Sequence, residues 1–200
     1  MGRPRLHDEQ TERELLIAAE RLLATGGIDA LSIRALADAA GSTTRAVYTV
    51  FGGKDGLLRA LFREAFRALD ASLEALPLTS DPAADLVAAG AQGFRGWARS
   101  HPDLFRLAFE GAVAWRADAP VEEMGVQAFG RLRERVRRCI DAGLISPGRE
   151  VEVALSFHAL CEGMASLEAR GRFPPLREQD PDTPWRSALT ALVNGYRPQG

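Results

Sequence analysis

The chain has 200 residues, 46% of them aliphatic or aromatic and 26% charged, with a formal net charge of −2. This is the balance of a globular protein with one large core or two small ones, and it excludes a polycation. Any nucleic-acid contact must therefore rest on basic groups placed locally rather than on bulk charge.

Alanine and leucine dominate while β-branched residues are sparse, which predicts an all-α fold of about nine helices. Residues 1–6 read as a short polar arm with Arg3 and Arg5 around Pro4. The arm either lies in a minor groove or stays a disordered tail. A first helix runs from about Asp8 to Thr25 with Leu15, Leu16, Ala19, Leu22 and Leu23 inward, and Gly26-Gly27 stops it. Ser32 is the natural N-cap of a second helix whose apolar face is Ile33, Leu36, Ala37 and Ala40. Gly41 ends that helix, and Ser42 or Thr43 caps the third. The third helix turns Val47, Val50 and Phe51 inward and Thr44, Arg45, Tyr48 and Thr49 outward. Hydroxyls, a guanidinium and a phenol on one exposed stripe suit phosphates and base edges, so residues 32–58 read as a helix-turn-helix.

Lys54, the only lysine, opens a long fourth helix to about Leu76. Pro77–Pro82 break the pattern, and a fifth helix follows from Ala83 to Ser100. His101-Pro102 begins a short sixth helix with Leu104, Phe105, Leu107, Ala108 and Phe109. After a looser stretch holding Trp115 and Pro120, a seventh helix spans Val121–Ala142 with Phe129, Leu132, Val136 and Ile140 inward. Its run of Arg131, Arg133, Arg135, Arg137 and Arg138 reads as a solvated outer face. The eighth helix covers Arg149–Arg170, a proline-rich loop occupies Phe173–Pro184, and the last helix runs from Trp185 to Tyr196. Cys139 and Cys161 lack metal spacing, so reduced thiols are the expectation. The start of the chain has no signal-peptide core and no run approaches a membrane span, which points to a cytoplasmic protein with no membrane partner.

The order Gly41, Thr43, Val47-Tyr48, Phe51, Lys54-Asp55, Leu57 resembles the signature of TetR-type transcriptional regulators. Residues 101–111 (HPDLFRLAFEG) and 157–168 (FHALCEGMASLE) are similar to one subgroup, which often carries Trp-x-x-x-His-Gly in the eighth helix. Here His158 takes the tryptophan place, Glu162 the histidine place, and Gly163 is kept. The resemblance implies a helix-turn-helix DNA-binding domain at 1–53 and an effector-binding and dimerisation domain at 54–200. It further implies a homodimer through the last two helices, a palindromic double-stranded DNA operator and a lipophilic small-molecule effector that releases it. Ser42, Arg45, Thr49 and Val50 depart from the Val, Gly, His and Tyr often found there. Those departures bear on which operator is read and leave the docking mode intact.

The candidate DNA-binding residues are Arg3, Arg5, Ser32, Thr43, Thr44, Arg45, Tyr48, Thr49 and Lys54. Arg45 reads a guanine or clamps a phosphate, and Lys54 adds charge at a helix start that already favours phosphate. The candidate effector pocket comprises Phe94, Trp97, Phe105, Phe109, Trp115, Met124, Phe129, His158, Cys161 and Glu162. His158 and Glu162, one turn apart, either bond each other or face a ligand, and a carboxylate among rings favours a cationic one. No catalytic residue, metal or cofactor is expected. Three alternatives stay open: an activator of the same type, a small-molecule enzyme using His158 and Glu162, and an interaction module with a vestigial head.

Overall fold

In the computed structural model, residues 4–110, 119–172, 180 and 182–198 are described, and among them every regular element is helical. The chain divides into two compact units, residues 1–65 with 103–121 and residues 66–102 with 122–200. This division falls twelve residues beyond the expected boundary at 53/54, and it also draws the 103–121 segment into the first unit.

The first unit opens with α1 (Pro4–Gly26), a 3-10 turn (Gly27–Ala30), α2 (Ile33–Ala39) and α3 (Thr44–Phe51). The expected polar arm is thus partly wrong: Pro4–Leu6 form the first turn of α1, where proline's fixed φ and missing N–H are tolerated. Leu15, Ala19, Leu23, Leu31, Leu36, Val47 and Phe51 form a buried core shared by three mutually touching helices. Gly41 holds φ +60° in the tight turn between α2 and α3. The unit also takes the first part of α4 (Lys54–Glu74) with buried Leu57 and Leu61. A Cβ on Gly56 would lie 1.6 Å from the Phe51 carbonyl oxygen, so the end of α3 and the start of α4 approach as only glycine permits. From the later part of the sequence come α7 (Pro102–Phe105) and a π-helical turn, Arg106–Glu110, with Leu104, Phe105 and Leu107 buried.

The second unit holds the rest of α4, α8 (Ala119–Asp141), α9 (Glu150–Ala169) and α10 (Thr183–Gly195). The expected fifth helix is present as α5 (Pro82–Ala88) and α6 (Arg95–Ser100), joined without a break by a π-helical stretch, Ala89–Phe94. A Cβ on Gly90 would meet Leu189, Cys161 and Phe157 within 3.0 Å, so this stretch sits tightly against α9 and α10. Arg95, 3% exposed, donates from Nε to Glu168 at 2.9 Å, pairs with Asp182, and lies 5.7 Å over the Trp185 ring. One side chain thereby joins α6, the end of α9 and the N-cap of α10.

The arginine run on α8 is a solvated face only in part: Arg137 and Glu134 are exposed, and the rest is half-covered or buried. Arg131 pairs with Asp70, Arg133 and Arg137 share Glu150, Arg138 pairs with the buried Asp85, and Arg135 is itself buried. Helical periodicity marked which residues leave the apolar stripe, but α4, the α4–α5 loop and α5 supply acceptors to Arg131, Arg135 and Arg138, and Glu150 of α9 supplies one to Arg133 and Arg137.

Gly56→Ala is expected to lower the melting temperature, since an added methyl at a closed backbone contact costs roughly 1–3 kcal/mol. Thermal unfolding followed by circular dichroism checks it, and a melting point equal to the parent's would contradict the close approach.

Candidate nucleic-acid interface and effector site

An eight-residue helix cannot hold itself together in water, so α3 depends on its ends and on its buried face. Thr43 Oγ1 accepts the Ala46 N–H at 3.1 Å at the start. Gly52, with φ +72°, donates its N–H to the Tyr48 carbonyl at 2.8 Å at the end. Ser32 Oγ caps α2 in the same way, accepting the Ala35 N–H at 3.1 Å. Both hydroxyls keep their own proton for a further acceptor.

With Val47 fully buried and Phe51 nearly so, the other side of α3 faces out. Thr44, Arg45, Tyr48 and Thr49 are all exposed, Tyr48 at 56%. Thr49 Oγ1 donates to the Arg45 carbonyl at 2.9 Å, which turns its hydroxyl back onto its own helix. Lys54 is exposed at the first residue of α4. Arg34, absent from the expected set, is also exposed in the first turn of α2. A basic residue two places after an N-cap was the signal for it. Arg3 lies outside the described residues, as does the side chain of Arg5.

The aromatic set is divided between the units. In the second, Phe94 and Trp97 are buried and meet edge to face at 5.8 Å. His158 on α9 stands T-shaped to Phe94 at 6.0 Å and to Phe129 at 6.3 Å. Burial pushes the His158 imidazole below its ordinary value, and Glu162 opposes that shift only in part. His158 Nε2 is 3.6 Å from Glu162 Oε2, within ion-pair range and too long for a hydrogen bond. Cys161 is buried beside them, its thiol pushed up to about 12 by burial, so it carries no thiolate chemistry near neutrality. Phe105 and Phe109 belong to the first unit, where their rings lie 5.6 Å apart. Trp115 and the side chain of Met124 lie outside the described residues. Among the described residues no three His, Cys, Asp or Glu side chains are grouped to hold a metal, and no helix is long and apolar enough to cross a membrane.

Residues 15–61 match the family described as bacterial regulatory proteins, tetR family. Residues 87–192, more than half of the chain, match the tetracyclin repressor-like C-terminal domain. The chain belongs to the TetR family. The family match at residues 15–61 takes in α2 and α3, the candidate helix-turn-helix. It is 30% identical over 128 residues to the HTH-type transcriptional regulators Rv1816 of Mycobacterium tuberculosis and Mb1846 of Mycobacterium bovis. That match takes in 63% of this chain and spans about half, 55%, of the length of those relatives. Among solved structures, a protein of unknown function from Rhodococcus sp. RHA1 is similar with a TM-score of 0.79 at 29% identity, covering 94% of this chain and 96% of that one. The TetR family regulator PfmR from Thermus thermophilus shares the fold, with a TM-score of 0.68 at 21% identity over 94% of this chain and 97% of that one.

A histidine held below its unfolded pKa binds its proton more readily when the TetR-family chain unfolds. Stability then falls as pH drops through the ordinary histidine value of 6.5 and toward the lower folded one. His158→Gln is expected to flatten the melting temperature between pH about 7.5 and about 5.5 relative to the parent. An equal slope in both proteins would show that His158 does not carry this dependence.

Proposed function

We propose that this regulator is a homodimeric repressor that binds a palindromic operator and is released by a lipophilic small molecule. The observation that carries the DNA half is the exposed Thr44, Arg45, Tyr48 stripe on a helix capped at both ends. A stripe of this kind enters a major groove, with Arg45 on a guanine or phosphate, Thr44 on a thymine methyl or the backbone, and Tyr48 on a phosphate. Ser32, Thr43, Thr49, Lys54 and Arg34 flank it as positioning contacts, and Arg3 and Arg5 extend it.

The dimer is supported by α9. Of the apolar residues on α9 and α10, Val153, Met164, Leu189 and Val193 are buried within the chain. A different row of α9 remains: Val151, Leu155, Ala159, Gly163 and Leu167 recur every four residues, and all are exposed. An apolar row of that length on a helix already packed on its other side suits a two-fold partner, with the small Ala159 and Gly163 admitting close approach. Two-fold symmetry sets the recognition helices for half-sites about 34 Å apart.

For the effector, the cluster of Phe94, Trp97, Phe129 and His158 supplies apolar rings, and Glu162 supplies a charge. That combination favours a lipophilic ligand bearing a positive nitrogen. Release follows if the ligand prefers the conformation that does not fit DNA, and by linkage operator then weakens ligand by the same factor.

Selection from a random duplex library identifies the operator, and a palindromic motif is the expected outcome. Arg45→Ala is expected to weaken binding to the selected duplex by about 1–3 kcal/mol and to relax preference at one base position in each half-site. Unchanged affinity and preference in a fluorescence-anisotropy titration would remove Arg45 from the interface. Leu155→Glu, which places a charge in the exposed row, is expected to convert a dimer to a folded monomer in sedimentation analysis. A parent protein that sediments as a monomer would end the dimer proposal.

A further inference from the structure

The hydroxyls of the head are used in opposite senses. Thr43 Oγ1 accepts the Ala46 N–H at 3.1 Å, as Ser32 Oγ accepts that of Ala35, so each keeps a proton that it can donate to a phosphate. Thr49 is the reverse case. Its Oγ1 donates to the carbonyl of Arg45, one turn back along α3, at 2.9 Å. A hydroxyl carries one proton, so Thr49 has none left for a phosphate oxygen or for the N7, O6 and O4 acceptors of base edges.

Thr49 is nonetheless exposed, on the same outward side of α3 as Thr44, Arg45 and Tyr48. What it offers there follows from its stereochemistry. A threonine in a helix settles into a rotamer that lets Oγ1 reach the carbonyl of the preceding turn. With Oγ1 held against the backbone, the γ-methyl is the one other heavy atom on Cβ, and it takes a different staggered position. The group left for a partner is therefore apolar, in a stripe whose other members are polar. The apolar feature of a major groove is the 5-methyl of thymine.

We propose that Thr49, beyond flanking the interface, determines specificity through its γ-methyl, which packs on the 5-methyl of a thymine in the operator while its hydroxyl stays on the Arg45 carbonyl. The inference rests on the reading of the protein as a DNA-binding regulator. It assigns to Thr49 a contact that needs the methyl and not the hydroxyl, and the two groups can be removed one at a time.

The test takes the duplex selected from the random library and replaces its thymines one at a time with deoxyuridine, which removes only the 5-methyl. Fluorescence anisotropy then reads the affinity of the parent, Thr49→Ser and Thr49→Val. Thr49→Ser keeps the hydroxyl and loses the methyl, whereas Thr49→Val keeps a methyl and loses the hydroxyl at nearly the same volume. Because Thr49 is exposed, neither change opens the core. The parent is expected to lose about fourfold at one thymine, the worth of one buried methyl. Thr49→Ser is expected to bind the thymine duplex about fourfold more weakly than the parent and to lose nothing further with deoxyuridine there. Thr49→Val is expected to stay within about twofold of the parent on both duplexes. Thr44→Ser is expected to keep the parent's sensitivity at that position, which separates the two threonines. The proposal is overturned if the parent binds every deoxyuridine duplex as it binds thymine, or if Thr49→Ser keeps the parent's sensitivity. It is equally overturned if Thr49→Val is weakened and Thr49→Ser is not, the signature of a hydroxyl read by the duplex. Each of these results leaves the DNA reading in place. If no duplex is selected, that reading fails and the inference falls with it.

Discussion

The head depends on one constraint, that a helix of eight residues has to be made rigid without length. Nucleation costs more than so short a helix returns through its own hydrogen bonds. The chain meets that cost at three places: the Thr43 hydroxyl on the Ala46 amide, the left-handed Gly52, and the burial of Val47 and Phe51. Gly56 then lets α4 start against the Phe51 carbonyl, closer than any side chain would allow. With those four features in place, the outward residues of α3 have one orientation, and polar groups on a fixed lattice can be read against a duplex.

The second unit solves a different problem. Its elements are long enough to be stable, but their faces carry charge into the interior. Arg95 reaches Glu168 and Asp182 at once, and Arg138 reaches Asp85, so the charges enter as pairs with most of their hydrogen bonds made. Such pairs add little net stability. They do specify which helix meets which at what register, and apolar Ala- and Leu-rich faces specify that poorly because small sliding motions cost little.

The two kinds of order serve one protein. Under the proposed function, the TetR-family head has to present a fixed surface, and a body answering a ligand would need two arrangements of similar energy. Caps and a glycine contact provide the first. Helices joined by guanidinium groups, with a π-helical stretch at Ala89–Phe94 beside the aromatic cluster, are suited to the second.

The head was legible from residues alone because its determinants are local. An N-cap, a left-handed glycine and an i, i+3, i+4 stripe each act within one or two turns, so Ser32 and Thr43 as caps, Val47 as a buried residue and Tyr48 as an exposed one were readable from spacing. The start of α1 was misread because Pro4 serves equally in an arm or at a first helical turn. In the body, the sequence named Phe94, Trp97, Phe129 and His158 as apolar or aromatic positions spread over three helices, and tertiary packing chose which rings meet. It placed Phe94 and Phe129 against His158 and assigned Phe105 and Phe109 to the other unit. Periodicity likewise set Arg131, Arg135 and Arg138 apart from the apolar stripe of α8, but a polar stripe looks the same whether water or another helix covers it. Only the arrival of α4 and its loop, from more than fifty residues away, buried Arg135 and gave Arg131 and Arg138 their partners, and only the packing of the whole unit showed that Val151, Leu155 and Leu167 stay exposed on α9.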